Sequence, residues 1–102
     1  MPRLDLPDRY LALLGELLAR HTPGAEVWAY GSRVDGEAHA ASDLDLVLRN
    51  PEDLARPQEK LFVLKEAIGD SAIPILVDVL DWARLPKGFH EEIRKGYVVI
   101  FP

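Results

Sequence analysis

A chain of 102 residues, 48% of them apolar, can fill one hydrophobic core, so a single domain over 1–102 is expected, with no length for a separate substrate domain. Seventeen acidic against twelve basic residues give a net charge of −5, and the basic residues are scattered, which argues against direct binding to a nucleic-acid backbone. The absence of cysteine excludes disulfides and thiolate metal sites; no apolar run approaches a membrane span and MPRLDLPDRY carries no signal core, so a cytoplasmic protein is expected.

The spacing predicts a first helix over Asp5 to His21, capped by Asp5 with Pro7 in its first turn. Tyr10, Leu13, Leu14, Leu17 and Leu18 form its apolar stripe, read as core. Thr22-Pro23-Gly24 ends it. Ala25 to Tyr30 is the first strand, with Trp28 and Tyr30 on one face; core packing outweighs stacking on a base as their role.

The stretch YGSRVDGEAHAASDLDL, Tyr30 to Leu46, is the chemical centre. Gly31 allows a tight turn, and Ser32 can open a short helix whose free N–H groups form a phosphate cradle. Gly36 to Ser42 is a polar, alanine-rich loop, ordered by Ser42; His39 has no companion His or Cys and reads as solvent-exposed. The second strand then carries Asp43 and Asp45. Side chains two apart in a strand share a face, so these carboxylates project together while Leu44 and Leu46 point the other way. Such a pair repels itself unless a cation lies between, and Mg2+ prefers carboxylate oxygens together with substrate phosphates.

After a Pro-bounded connection, Asn50 to Arg56, a helix is predicted over Pro57 to Asp70 with Leu61, Leu64, Ala67 and Ile68 inward. Ile73 to Trp82 follows as a buried central strand, nearly continuous in apolar residues. Asp78 interrupts it, and a carboxylate there needs a metal, a cation or water. Asp81, three residues on, faces the opposite side and reads as the strand's end or a cap towards Trp82. Pro86 to Lys95 is a short helix with Phe89 and Ile93 inward and Gly96 as its stop. Tyr97 to Phe101 is β-prone and apolar, and either adds an edge strand or covers another surface, a partner's included; a homo-oligomer stays open.

Gly31-Ser32 followed by Asp43-Leu44-Asp45-Leu46 resembles the signature of the DNA polymerase β-type nucleotidyltransferases. GSR followed by SDLDL in so short a chain is similar to the minimal, MntA-type members, and VWAYGSR, SDLDL, VDVLDW and IRKGYVVI extend the likeness over nearly the whole sequence. The resemblance implies an α/β (α+β) fold, a small mixed sheet with helices mainly on one face. It implies Asp43, Asp45 and Asp78 as catalytic residues and metal ligands, with two Mg2+ ions, and favours Asp78 over Asp81. Gly31 and Ser32 would hold the phosphates of ATP or another nucleoside triphosphate; Arg33 either assists there or pairs with a neighbouring acid. The implied activity is transfer of a nucleoside monophosphate, AMP by expectation, to a hydroxyl. The implied acceptor is a tyrosine of a helical HEPN-type toxin encoded nearby, with the chain acting as antitoxin. A rival reading is a non-catalytic nucleotide- and partner-binding protein that clasps the same helical partner.

Overall fold

The computed structural model describes residues 3–102, so the first two residues of MPRLDLPDRY lie outside it. Helix α1 spans Asp8–His21, strand β1 Glu26–Tyr30, the one-turn helix α2 Ser32–Asp35 and strand β2 Leu44–Arg49. Helix α3 spans Leu61–Gly69 and strand β3 Val77–Asp81; a 3-10 turn, Trp82–Arg84, leads to helix α4, Lys87–Arg94, and strand β4, Tyr97–Phe101. The sheet order is β3-β2-β1-β4, with β2 and β3 parallel and the other neighbours antiparallel. It is the expected small mixed sheet of an α+β fold.

Strand alternation divides the apolar residues into two cores. Val27, Ala29, Leu44, Leu46, Leu48 and Val79 face α1 and α3, which meet them with Leu14, Leu18, Leu64 and Ile68. The opposite face carries a smaller cluster of Trp28, Val47, Trp82 and Ile93, flanked by Tyr30, Phe89 and Tyr97. The two longest helices thus cover one face, while α4 and the 3-10 turn cover part of the other. Trp28 stacks on Tyr97 at 4.0 Å and meets Trp82 edge-on at 5.2 Å, so this indole is core. Among the described residues, no helix is long and apolar enough to cross a membrane.

Several boundaries differ from those expected. Helix α1 begins at Asp8 with Pro7 at its N-cap, because Asp5 is tied elsewhere: its N–H donates to the Arg33 carbonyl at 2.7 Å. Helix α3 begins at Leu61, four residues late, since the Gln58 N–H is held by Asp81 Oδ2 at 2.9 Å. The third strand is five residues long and lies at the sheet's edge, not its centre. Its ladder starts where the Leu44 N–H donates to the Leu76 carbonyl, 2.9 Å away, and Pro74 upstream has no N–H to offer. Ile73, Ile75 and Val77 still pack inward, which is why the run reads as a buried strand. The apolar tail takes one of its two readings: β4 pairs with β1 as the other edge strand.

Candidate active site

Register puts Tyr97, Tyr30, Asp45 and Asp78 in one row across the four strands, Tyr30 opposite both Tyr97 and Asp45, and Asp45 opposite Asp78. Opposed residues share a face. Asp45 is half-buried and Asp78 exposed on the face away from α1 and α3. Asp43 is exposed and precedes the first residue of β2, so it belongs to the end of the loop, not to the strand.

Asp81 turns the other way and is 4% exposed. It caps the 3-10 turn by accepting from the Ala83 N–H at 3.2 Å, and it pairs with Arg84 at 3.4 Å. With its bond to Gln58, every neighbour of this carboxylate is structural. Asp78 makes no such bond among the described residues and is left facing solvent beside Asp45.

Asp45 feels the other two carboxylates. Burial, then the charges of Asp78 and Asp43, raise the Asp45 carboxyl above the usual range. Burial and the charges of Asp45 and Asp78 likewise push the Tyr30 phenol well above its ordinary value. As they stand, no three His, Cys, Asp or Glu side chains converge to hold an ion among the described residues. The donor chemistry nonetheless suits a hard divalent cation: oxygen ligands only, mutual repulsion to be relieved, and a solvent-facing side open to substrate oxygens.

Gly31 is shaped for this neighbourhood. Its φ of 80° lies in the left-handed region, and a Cβ there would collide with Asp45 Oδ2. The turn therefore brings backbone directly against the carboxylate. Helix α2 starts at Ser32, and helix geometry leaves the first N–H groups without intrahelical acceptors. Val34 and Asp35 donate back to the Gly31 carbonyl, closing the turn.

Arg33 departs from both expected roles. It is 5% exposed, and its guanidinium donates to the carbonyls of Ser42 at 3.0 Å, Asp5 at 2.8 Å and Ala40 at 3.2 Å. It pairs with no acid among the described residues, and its donors are turned to backbone oxygens instead of the solvent beside Gly31. Its work is to tie the loop 39–42 and the segment before α1 to α2. The same loop is closed by Ser42, whose hydroxyl accepts from the His39 N–H at 3.0 Å. His39 is exposed.

A cleft of about 300 Å³ opens beside the turn, lined by Tyr30, Gly31, Phe89, Glu92, Lys95 and Gly96 among others. Lys95 has no sequence signal that would place it there: 64 residues separate it from Gly31, and only the β1–β4 pairing closes that distance.

The family model described as "Polymerase beta, Nucleotidyltransferase" matches residues 14–102. The chain belongs to that nucleotidyltransferase family. It is therefore a nucleotidyltransferase, an enzyme. It is 45% identical over 101 residues to a "Probable protein adenylyltransferase MntA" of Haemophilus influenzae, covering 96% of this chain and 84% of that one. A solved structure described as "Crystal structure of the toxin-antitoxin with AMP-PNP" superposes with a TM-score of 0.71. It covers 89% of this chain and 72% of that one at 17% identity, a likeness of fold.

Proposed function

We propose that this nucleotidyltransferase moves AMP from ATP to a hydroxyl of a protein, a tyrosine of a helical HEPN-type toxin, and acts as its antitoxin. The observation that carries the reading is the register pairing of Asp45 with Asp78 beside the Gly31 turn. The identity to a probable protein adenylyltransferase supports protein as the acceptor and AMP as the group moved. The toxin-antitoxin neighbour with AMP-PNP supports the partner class and the triphosphate.

Asp43, Asp45 and Asp78 are the residues that would hold magnesium, two ions in this reading. Bound there, magnesium supplies charge neutralisation for the triphosphate and lowers the pKa of the acceptor hydroxyl. The chain's own groups do the remainder. The Gly31–Ser32 turn holds the phosphates through backbone N–H groups, and Asp45, fixed against Gly31, sets where the phosphates stop. Asp78, exposed on the edge strand, takes the proton as the hydroxyl oxygen bonds to the α-phosphorus. The bond from that phosphorus to the bridging oxygen breaks, pyrophosphate leaves, and the proton passes from Asp78 to water. Positioning and charge compensation carry most of the acceleration.

Incubation with Mg-ATP and the helical protein encoded next to this chain tests the reading. Mass spectrometry should find one adenylyl group on a tyrosine of that neighbour, with its toxicity lost. A neighbour that binds the chain tightly and stays unmodified would sink it.

A further inference from the structure

With Arg33 committed to carbonyls, a side-chain cation for a triphosphate beside Gly31, in addition to metal and backbone N–H groups, has to come from another residue. The surroundings offer little. Asp35 and Glu92 line the cleft next to the turn, and Asp45 is packed against Gly31 itself. Lys95 is the one basic residue among those lining it. A second cleft, about 650 Å³, shares Asp35, Lys95 and Gly96 with the first and adds Arg3. Lys95 thus stands where the two meet.

The fold fixes its backbone at that point. Lys95 is the C-cap of α4, its N–H donating to the Glu92 carbonyl at 3.3 Å while the next N–H, that of Gly96, donates to the Ile93 carbonyl at 3.2 Å. Two residues later Tyr97 pairs with Tyr30, the residue before Gly31. The side chain itself is lightly held. Its ammonium lies 2.8 Å from Glu92 Oε1, and both side chains are mostly exposed, at 71% and 62%. Such a pair contributes little and exchanges readily for a stronger anion.

We infer that Lys95 is a phosphate-positioning residue: its ammonium leaves Glu92 to bind a terminal phosphate of the nucleotide held at Gly31–Ser32. The inference rests on the nucleoside-triphosphate reading above. Glu92 is then a placeholder that keeps the lysine at the cleft until substrate arrives. The purely structural role, a cation at a helix C-terminus paired with an acid one turn back, involves no nucleotide at all.

Equilibrium binding of Mg·AMP-PNP and of AMP to the wild type, Lys95→Met, Lys95→Arg and Glu92→Gln separates these roles. Lys95→Met should bind Mg·AMP-PNP about 5- to 30-fold more weakly, with a shallower dependence on salt. Its affinity for AMP and its melting temperature should match the wild type. Lys95→Arg should recover most of the loss, and Glu92→Gln should tighten Mg·AMP-PNP binding. Lys95→Met binding Mg·AMP-PNP within about two-fold of wild type, or losing AMP and AMP-PNP equally, overturns the role of Lys95 alone. Failure of the wild type to bind Mg·AMP-PNP overturns the nucleotide reading, and this one with it.

Discussion

Asp45 occupies the space that a side chain at position 31 would need. The glycine is thus required twice, for its φ of 80° and for the carboxylate pressed against it. Gly31→Ala should cost about 1–3 kcal/mol from the left-handed backbone alone. The collision must in addition displace the Asp45 carboxylate from its place opposite Asp78. Transfer activity should fall at least about 100-fold at temperatures where the variant is still folded, since misplacement of about 1 Å has that effect. Circular dichroism melts beside initial rates check both halves; full activity in the folded variant would show that Asp45 need not stay where it is.

The raised Asp45 carboxyl makes a prediction about stability with a definite sign. Its proton is held more tightly in the folded protein than in the unfolded chain. The fold is therefore relatively favoured at acid pH, and that advantage is lost as pH climbs through and above the ordinary carboxylate range. Asp45→Asn removes the penalty. In EDTA this variant should melt above the wild type at about pH 7.5, with the gap narrowing towards about pH 4. Magnesium should raise the melting temperature of the wild type and not that of Asp45→Asn, which should be inactive. Parallel pH dependences for the two proteins would mean that the carboxylates do not feel one another.

Asp78 and Asp81 should separate activity from stability. Asp78→Asn touches an exposed group and should leave the melting temperature unchanged or slightly higher, with transfer reduced by roughly 100- to 10,000-fold through loss of a positioned base. Asp81→Asn leaves the Gln58 and Ala83 N–H groups with a weaker acceptor and strips Arg84 of its partner. It should cost about 1–3 kcal/mol of stability and little activity per folded molecule. The reverse pattern would move the chemistry to the other side of the sheet.

Arg33→Met leaves the carbonyls of Asp5, Ala40 and Ser42, and the more distant one of His39, without their donor. A loss of about 2–4 kcal/mol is expected, a fall in melting temperature of roughly 10–20 °C for a domain of this size. Hydrogen exchange should rise at His39 to Ser42. A variant that melts like the wild type but binds ATP poorly would return Arg33 to the phosphates.

What could be read before folding follows from short-range geometry. Alternation along Asp43-Leu44-Asp45-Leu46 sends Leu44 and Leu46 to the α1–α3 core and Asp45 to the opposite face, where the structure has them. The same parity separates Asp78 from Asp81. Relations across the fold were not legible. Ile73 to Trp82 looks central because Ile73, Ile75, Val77 and Val79 are all inward, yet an edge strand over a helix layer buries that same face. Arg33 beside a phosphate-type turn looks like an anion ligand, and nothing in the local sequence announces that the Asp5 and Ser42 carbonyls return to it. Lys95 reaches its cleft only through β4 pairing with β1.

The strand bearing Asp78 is outermost in the sheet, with β2 on one flank and the sheet's margin on the other. Leu76, 74% exposed, projects two residues before it. On the proposed reading, a macromolecular acceptor can consequently bring its reactive side chain to Asp78 from that open side. On the same reading, the surface along that margin, Leu76 included, is where one acceptor would be told from another.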